Sequence, residues 1–179
     1  MKIAEEESMD RRVLFLGQAP ARTKNPLGPL TGRSFRRLCG WWGVSLEAYA
    51  AHVERRNLTE AYRGDVFDLP AARRQFRRWA HAGYFAGRPL VVLLGRGVAS
   101  AAEWPHEWYT IGTLATFTGG WLSWRTCPAV AIPHPSGVSH EWNSPAARVQ
   151  AGEFLRKMIP QVPVETFSSV PLAVAGRHR

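Results

Sequence analysis

Pro128-Ala129-Val130-Ala131-Ile132-Pro133-His134-Pro135-Ser136-Gly137-Val138-Ser139-His140-Glu141-Trp142-Asn143 is the stretch on which the fold turns. Its first five residues form a short apolar run of strand length. Pro133 and Pro135 each fix their own φ and push the residue before them out of the helical region, so the chain leaves this strand extended. His134 is thereby held at the carboxyl end of a strand, the place where ligands bind in an open α/β sheet. Gly137 permits a tight turn, and Ser139 or Asn143 is expected to cap a helix starting near Ser144-Pro145. A histidine presented this way can donate a hydrogen bond to charge developing on a leaving group. The blander reading of the same segment is a helix-capping loop that contains a histidine.

Working outward, Arg12-Val13-Leu14-Phe15-Leu16-Gly17 is a second apolar run that breaks at glycine, as a buried parallel strand does. Gln18-Ala19-Pro20-Ala21-Arg22-Thr23 follows as an irregular loop. Leu30-Thr31-Gly32-Arg33-Ser34-Phe35-Arg36-Arg37-Leu38 then leads into a helix, with Thr31 or Ser34 as its expected cap. Gly17 and Ala19 leave the backbone bare, so a planar ligand can come close to the Gln18 side chain and neighbouring amides. Further elements are expected as a helix over 33–42, a helical stretch around 46–54, and a short strand and loop from Asn57 to Tyr62. A helix over 70–82, a strand over 89–95 and a short helix from Gly95-Arg96-Gly97 to about Glu103 follow. Residues 109–125, rich in aromatics and threonine, read as a hairpin or extended pair before strand 128–132 and helix 144–158. Such alternation predicts an α/β protein, three layers α/β/α with a short, mostly parallel central sheet. Residues 1–160 read as one domain and 161–179 as a loosely attached tail.

Composition agrees. At 179 residues with 45% hydrophobic content the chain suits a single domain. No apolar run approaches the ~20 residues of a membrane span. The acidic start, Met1-Lys2-Ile3-Ala4-Glu5-Glu6-Glu7, lacks a signal peptide's apolar stretch, so a cytoplasmic monomer away from membranes is expected. Cys39 and Cys127 are the only cysteines and make no CxxC pair. Two thiols cannot hold an iron–sulfur cluster, which takes four, so both are expected to be reduced and partly buried, and no cofactor is expected. Gly95-Arg96-Gly97 lacks the third glycine and the later acid of a dinucleotide fingerprint.

The net charge of +9 and pI near 10.5 favour a polyanionic partner. With Lys2, Lys24 and Lys157 the only lysines, 20 of the 23 basic residues are arginines, whose forked donors suit phosphate. Arg73, Arg74, Arg77 and Arg78 lie at helical spacing with Ala72, Phe76, Trp79 and Ala80 facing inward, which reads as a solvated helix face. Arg22, Lys24, Arg33, Arg36 and Arg37 flank the first loop and are the stronger phosphate candidates. The eight tryptophans are too dispersed for one stacking platform and read mostly as core or cover.

In order along the chain, Gly17-Gln18-Ala19-Pro20-Ala21, Leu30-Thr31-Gly32-Arg33-Ser34, Asn57-Leu58-Thr59 and His134-Pro135-Ser136-Gly137-Val138-Ser139 resemble the motifs of the uracil-DNA glycosylase superfamily. The first motif there takes forms such as Gly-Gln-Asp-Pro or Gly-Leu-Ala-Pro-Ala, and the last is His-Pro-Ser or Asn-Pro-Ser-Gly-Leu-Ser. The resemblance spans about residues 13 to 158. It implies a metal-independent DNA glycosylase that flips a base out of single- or double-stranded DNA and hydrolyses its N-glycosidic bond in base-excision repair.

By the same resemblance His134 is the donor to the departing base, Asn57 the reader of its edge, and Gln18 completes the pocket and places water. Gly17, Ala19 and Leu30 line the base site. Ser136, Gly137, Val138 and Ser139 meet the DNA with Arg33 and Arg36, and Val138 fills the gap left by the flipped nucleotide. Gly95, matching the Leu-Gly after the family's third strand, is expected to make a helix-entry turn, and Trp142 lies in the loop placed against DNA. The chain departs from the pattern where several branches carry Asp or Glu in the first motif: it has Gln18 and Ala19, and glutamine is no general base at neutral pH. Leu30 stands where a stacking phenylalanine is usual. Asp65, Asp68, Glu60 and Glu141 are the candidate substitutes. The alternative reading is a non-catalytic protein on the same fold that binds DNA or a modified base.

Overall fold

The computed structural model describes residues 12–18, 32–59, 67–104, 115–116, 127–135 and 144–164. Its elements run β1 (Val13–Gly17), α1 (Arg33–Trp42), α2 (Leu46–His52), β2 (Val53–Asn57), α3 (Leu69–His81), β3 (Val91–Leu94), α4 (Arg96–Ala101), β4 (Ala115–Thr116), β5 (Pro128–Ile132) and α5 (Pro145–Met158). The sheet order is β2-β1-β3-β5-β4. The first four are parallel, and β4 pairs antiparallel with β5 through Ala115↔Ala129 and Thr116↔Pro128.

Because side chains alternate across a strand, β1 feeds two cores. Leu14 and Leu16 join Val91, Leu93, Ala129 and Ala131 under α3 and α4, where Ala72, Phe76, Ala80 and Val98 are buried. Val13 and Phe15 join Val92, Leu94, Val130 and Ile132 on the other face, beneath Phe35, Leu38, Trp42, Tyr49 and Leu155 of α1, α2 and α5. This is the expected three-layer α/β/α arrangement on a mostly parallel sheet. Each fully buried Val, Leu, Ile or Phe of these cores contributes about 1.5–3 kcal/mol. The two thiols belong to opposite cores. Burial pushes both Cys39 and Cys127 up to about 11, so neither is a ready nucleophile.

α1 and α5 pack closely because Gly152 has no side chain: a Cβ there would run into the carbonyl oxygen of Trp41. Arg156 donates to Trp42 O at 2.8 Å, satisfying a carbonyl at the end of α1. Gly43 then closes α1 at φ +80. Beyond α5, Ile159 and Val162 remain buried in the second core.

Several local expectations change. β2 runs over Val53–Asn57 rather than from Asn57 onward, and α2 stops at His52. The strand hides its nature because it is an edge: Glu54, Arg55 and Arg56 replace the apolar run of a central strand, as suits an edge protected by charge. Ser34 does not cap α1, since the helix begins at Arg33 with Gly32 as a cap that offers no side chain; Thr31 lies outside the described residues. At α5 the capping position falls on Ser144, with Pro145 in the first turn, and Ser139 and Asn143 lie outside the described residues. Of 109–125, only Ala115–Thr116 is described, as β4.

Candidate functional site at the carboxyl edge

From β1 the chain turns to one side to form β2 and later to the other to form β3, so the carboxyl ends of β1 and β3 flank a topological switch point. Three of the residues singled out from sequence, Gln18, Asn57 and His134, lie along this edge. Gly17 ends β1 in register with Asn57, the last residue of β2. Leu58 N donates to Gly17 O at 3.0 Å, and Thr59 donates to Gln18 O through both its backbone N and its Oγ1, each at 3.0 Å. The exit of β2 therefore fixes the main chain of Gln18. The Asn57 carboxamide oxygen is buried and has no hydrogen-bond partner among the described residues. Leaving a buried acceptor unsatisfied costs about 1–3 kcal/mol, which a ligand donor would recover.

On the other side of the switch point, Gly95 N donates to Ile132 O at 2.9 Å and ties the end of β3 to the end of β5. Pro133 and His134 follow at once. Gly95 sits at φ +91, as a helix-entry residue before α4, and a Cβ on it would lie 3.1 Å from the Cβ of His134. Burial lowers the His134 pKa below its ordinary 6.5, so at neutral pH the ring is uncharged and one of its nitrogens carries a proton to donate. Gly97, one turn position on, faces Gln18: a Cβ there would overlap Gln18 Nε2 and lie 2.8 Å from Cδ1 of Phe67.

Gln18, Asn57 and His134 thus stand at the carboxyl ends of β1, β2 and β5, with Gly17 behind Gln18. Ala19, Leu30, Ser136, Gly137, Val138 and Ser139 lie outside the described residues, as do Glu60, Asp65, Glu141 and Trp142. Asp68 is occupied as the cap of α3, its Oδ1 accepting from Ala71 N at 3.0 Å. Arg33, Arg36 and Arg37 are exposed on the first turns of α1. On α3, Arg73 donates to Ser100 O at 3.4 Å and Arg77 pairs with Glu103, so half of that arginine row is engaged with the end of α4. Among the described residues no group of three or more His, Cys, Asp or Glu could hold a metal ion, and no helix is long and apolar enough to cross a membrane.

Phe67 escaped the sequence reading, and Thr59 entered it only as the last residue of the Asn57 motif, with no role of its own. Phe67 carried one signal, since an apolar residue just before an Asp cap commonly packs back on its helix. The pairing of Thr59 with Gln18 left no signal, because the two are 41 residues apart. No protein-family model matches the chain, and no curated protein matches it.

Proposed function

We propose that the chain is a metal-independent DNA glycosylase of the uracil-DNA glycosylase kind, acting on uracil or a related damaged or modified base. The observation that carries this reading is that Gln18, Asn57 and neutral His134 leave the same carboxyl edge of the sheet, at the ends of β1, β2 and β5, with the buried Asn57 oxygen lacking a partner among the described residues. The parallel order β2-β1-β3-β5 and the motif resemblance support it.

The chemistry follows from the charges the reaction creates. A base leaves the stack and enters the pocket, which costs a few kcal/mol of unstacking. Asn57 accepts from a ring N–H and offers its own amide to a neighbouring carbonyl. As the C1′–N bond breaks, the sugar becomes positive and the base negative. The His134 N–H donates a hydrogen bond to the base carbonyl oxygen and stabilises that anion without transferring its proton. Water adds at C1′ and its proton passes to solvent or to the departing base. Gln18 orients that water and cannot deprotonate it. Arg33 and Arg36 hold the phosphates on either side, and Val138 fills the vacated place in the stack. The protein works as a monomer.

The occupied state of Asp68 favours a second reading, a binder of extruded bases without cleavage, because it removes one substitute for the missing acid. A cleavage assay separates the two. Uracil, hypoxanthine, xanthine and 5-substituted uracil are presented in single- and double-stranded oligonucleotides. Release of any one base supports the enzyme. Tight binding with no release from the whole panel supports the binder.

A further inference from the structure

Gly95-Arg96-Gly97 lacks what a dinucleotide site needs, yet each of its glycines lies against one of the two side chains given catalytic work above. We infer that the β3–α4 turn is a positioning platform for the site: Gly95 seats His134, and Gly97 seats the carboxamide of Gln18 against the ring of Phe67. Three observations carry this. A Cβ on Gly95 would press on the His134 Cβ at 3.1 Å. A Cβ on Gly97 would displace Gln18 Nε2 and crowd Phe67, whose Cδ1 and Cε1 would lie at 2.8 and 3.0 Å. The main chain of Gln18 is already pinned by the paired hydrogen bonds from Thr59, so the side chain cannot escape by moving its backbone.

The two glycines are needed for different reasons. Gly95 has φ +91, a conformation that alanine enters only with strain. Gly97 lies inside α4 with no such constraint, and alanine is the better helix former. Were Gly97 merely a helical residue, alanine would strengthen α4. The platform predicts instead that alanine expels Gln18. Phe67, Gly95 and Gly97 then act as positioning residues, through Gln18 and His134. The inference rests on the glycosylase reading for the importance of those side chains but not for their seating, and the test keeps the two apart.

The full chain is labelled with nitrogen-15 and observed without ligand. The Gln18 side-chain amide pair is assigned by its loss in Gln18→Ala, and the His134 ring by its loss in His134→Ala. Gly97→Ala should move the Gln18 pair to the position of a solvated glutamine and leave the His134 titration alone. Gly95→Ala should raise the His134 midpoint towards its ordinary value and leave the Gln18 pair alone. An unmoved Gln18 pair in folded Gly97→Ala overturns the inference, as does a shift of both signals together. Should Gly95→Ala fail to fold, Gly97→Ala decides. On an oligonucleotide carrying deoxyuridine, Gly97→Ala should slow base release on the order of tenfold to a hundredfold, the usual scale of misplacement by about an ångström. In a Gln18→Ala background the same change should have no further effect; an equal loss there overturns the inference. A parent that releases no base defeats the glycosylase reading, and the ligand-free resonances still judge the platform.

Discussion

The two ends of the sheet handle polar groups in opposite ways. At the amino end, Glu54 of β2 is only 8% exposed and Arg88, just before β3, only 6%. Arg88 Nη1 lies 2.6 Å from Glu54 Oε2, Arg56 Nε donates to Oε1 at 2.9 Å, and the Tyr84 hydroxyl donates to the same oxygen. Arg88 also donates to Tyr84 O at 3.0 Å and lies over the Tyr84 ring at 4.6 Å. Burial alone would raise the Glu54 carboxyl, but the hydrogen bonds from Tyr84, Arg56 and Arg88 outweigh it and hold it below its ordinary value. Here charge is buried because it is surrounded by partners. At the carboxyl end the candidate side chains are neutral, two carboxamides and an uncharged imidazole, and the buried Asn57 oxygen has no partner among the described residues. At the amino end every buried charge faces an opposite charge, whereas the buried Asn57 oxygen has neither a charge nor a hydrogen-bond partner among the described residues.

The largest effect should come from opening the closed end. Glu54→Ala leaves the Arg88 guanidinium buried without its carboxylate and should cost about 3–5 kcal/mol in chemical denaturation. Its pH signature has a definite sign. A depressed folded-state pKa means the stabilisation is present above the unfolded carboxyl value and is lost as pH falls through the folded one. The gap between the parent and Glu54→Gln should therefore narrow as pH drops below about 4. A gap that stays constant into acid would show that the carboxylate's charge does not contribute.

Opening the other end should do the reverse. Asn57→Leu removes a buried acceptor with no partner among the described residues, and should leave the ligand-free protein equally stable or more stable by up to about 1–3 kcal/mol. The same variant should lose affinity for a deoxyuridine oligonucleotide. Destabilisation together with unchanged affinity would make Asn57 a structural residue like Glu54 and erase the contrast. His134 gives a subtler proton-linked signal. Its folded pKa lies below its ordinary one, so protonation favours the unfolded chain. Relative to His134→Gln, the parent should lose stability as pH falls from 7 through 6.5 towards the folded value, and the two curves should run parallel above pH 7. Parallel curves throughout would mean that His134 is as solvated folded as unfolded.

The smallest effect concerns neither end but the exposed start of α1. Each phosphate contact contributes about −0.9 to the log–log slope of duplex affinity against salt. Arg33→Ala and Arg36→Ala should each flatten the slope by roughly that much, whereas Arg77→Ala, whose guanidinium is paired with Glu103, should change it less. Equal slopes for all three would remove the exposed start of α1 from the proposed contact with DNA.

How much of this could be read from the chain depended on how local the cause was. β1 and β5 are apolar runs stopped by Gly17 and Pro133, and α1 and α5 announce themselves by helical spacing; all four fall within a residue or so of expectation. Prolines around His134 and glycine before Gln18 put both at strand ends in advance. β2 was harder, since charged Glu54, Arg55 and Arg56 on an edge carry no apolar alternation. The Glu54–Arg88 pair joins residues 34 apart in the chain (88 minus 54), and nothing near either predicts the other. Phe67 and Thr59 meet Gly97 and Gln18 only once the sheet has formed. Glycines at a close approach look the same in sequence as glycines in a turn, which is why Gly97 had no role until its neighbours were seen.

If the neutral carboxyl end of the sheet cleaves a glycosidic bond, base release and binding, measured side by side on one deoxyuridine oligonucleotide for the parent and for His134→Ala, must respond differently. A donor that acts mainly on the developing anion should lower release by about 10²–10³-fold while leaving affinity within a few-fold of the parent. Release and affinity falling by the same factor, or a parent that binds the oligonucleotide and releases nothing, would contradict it.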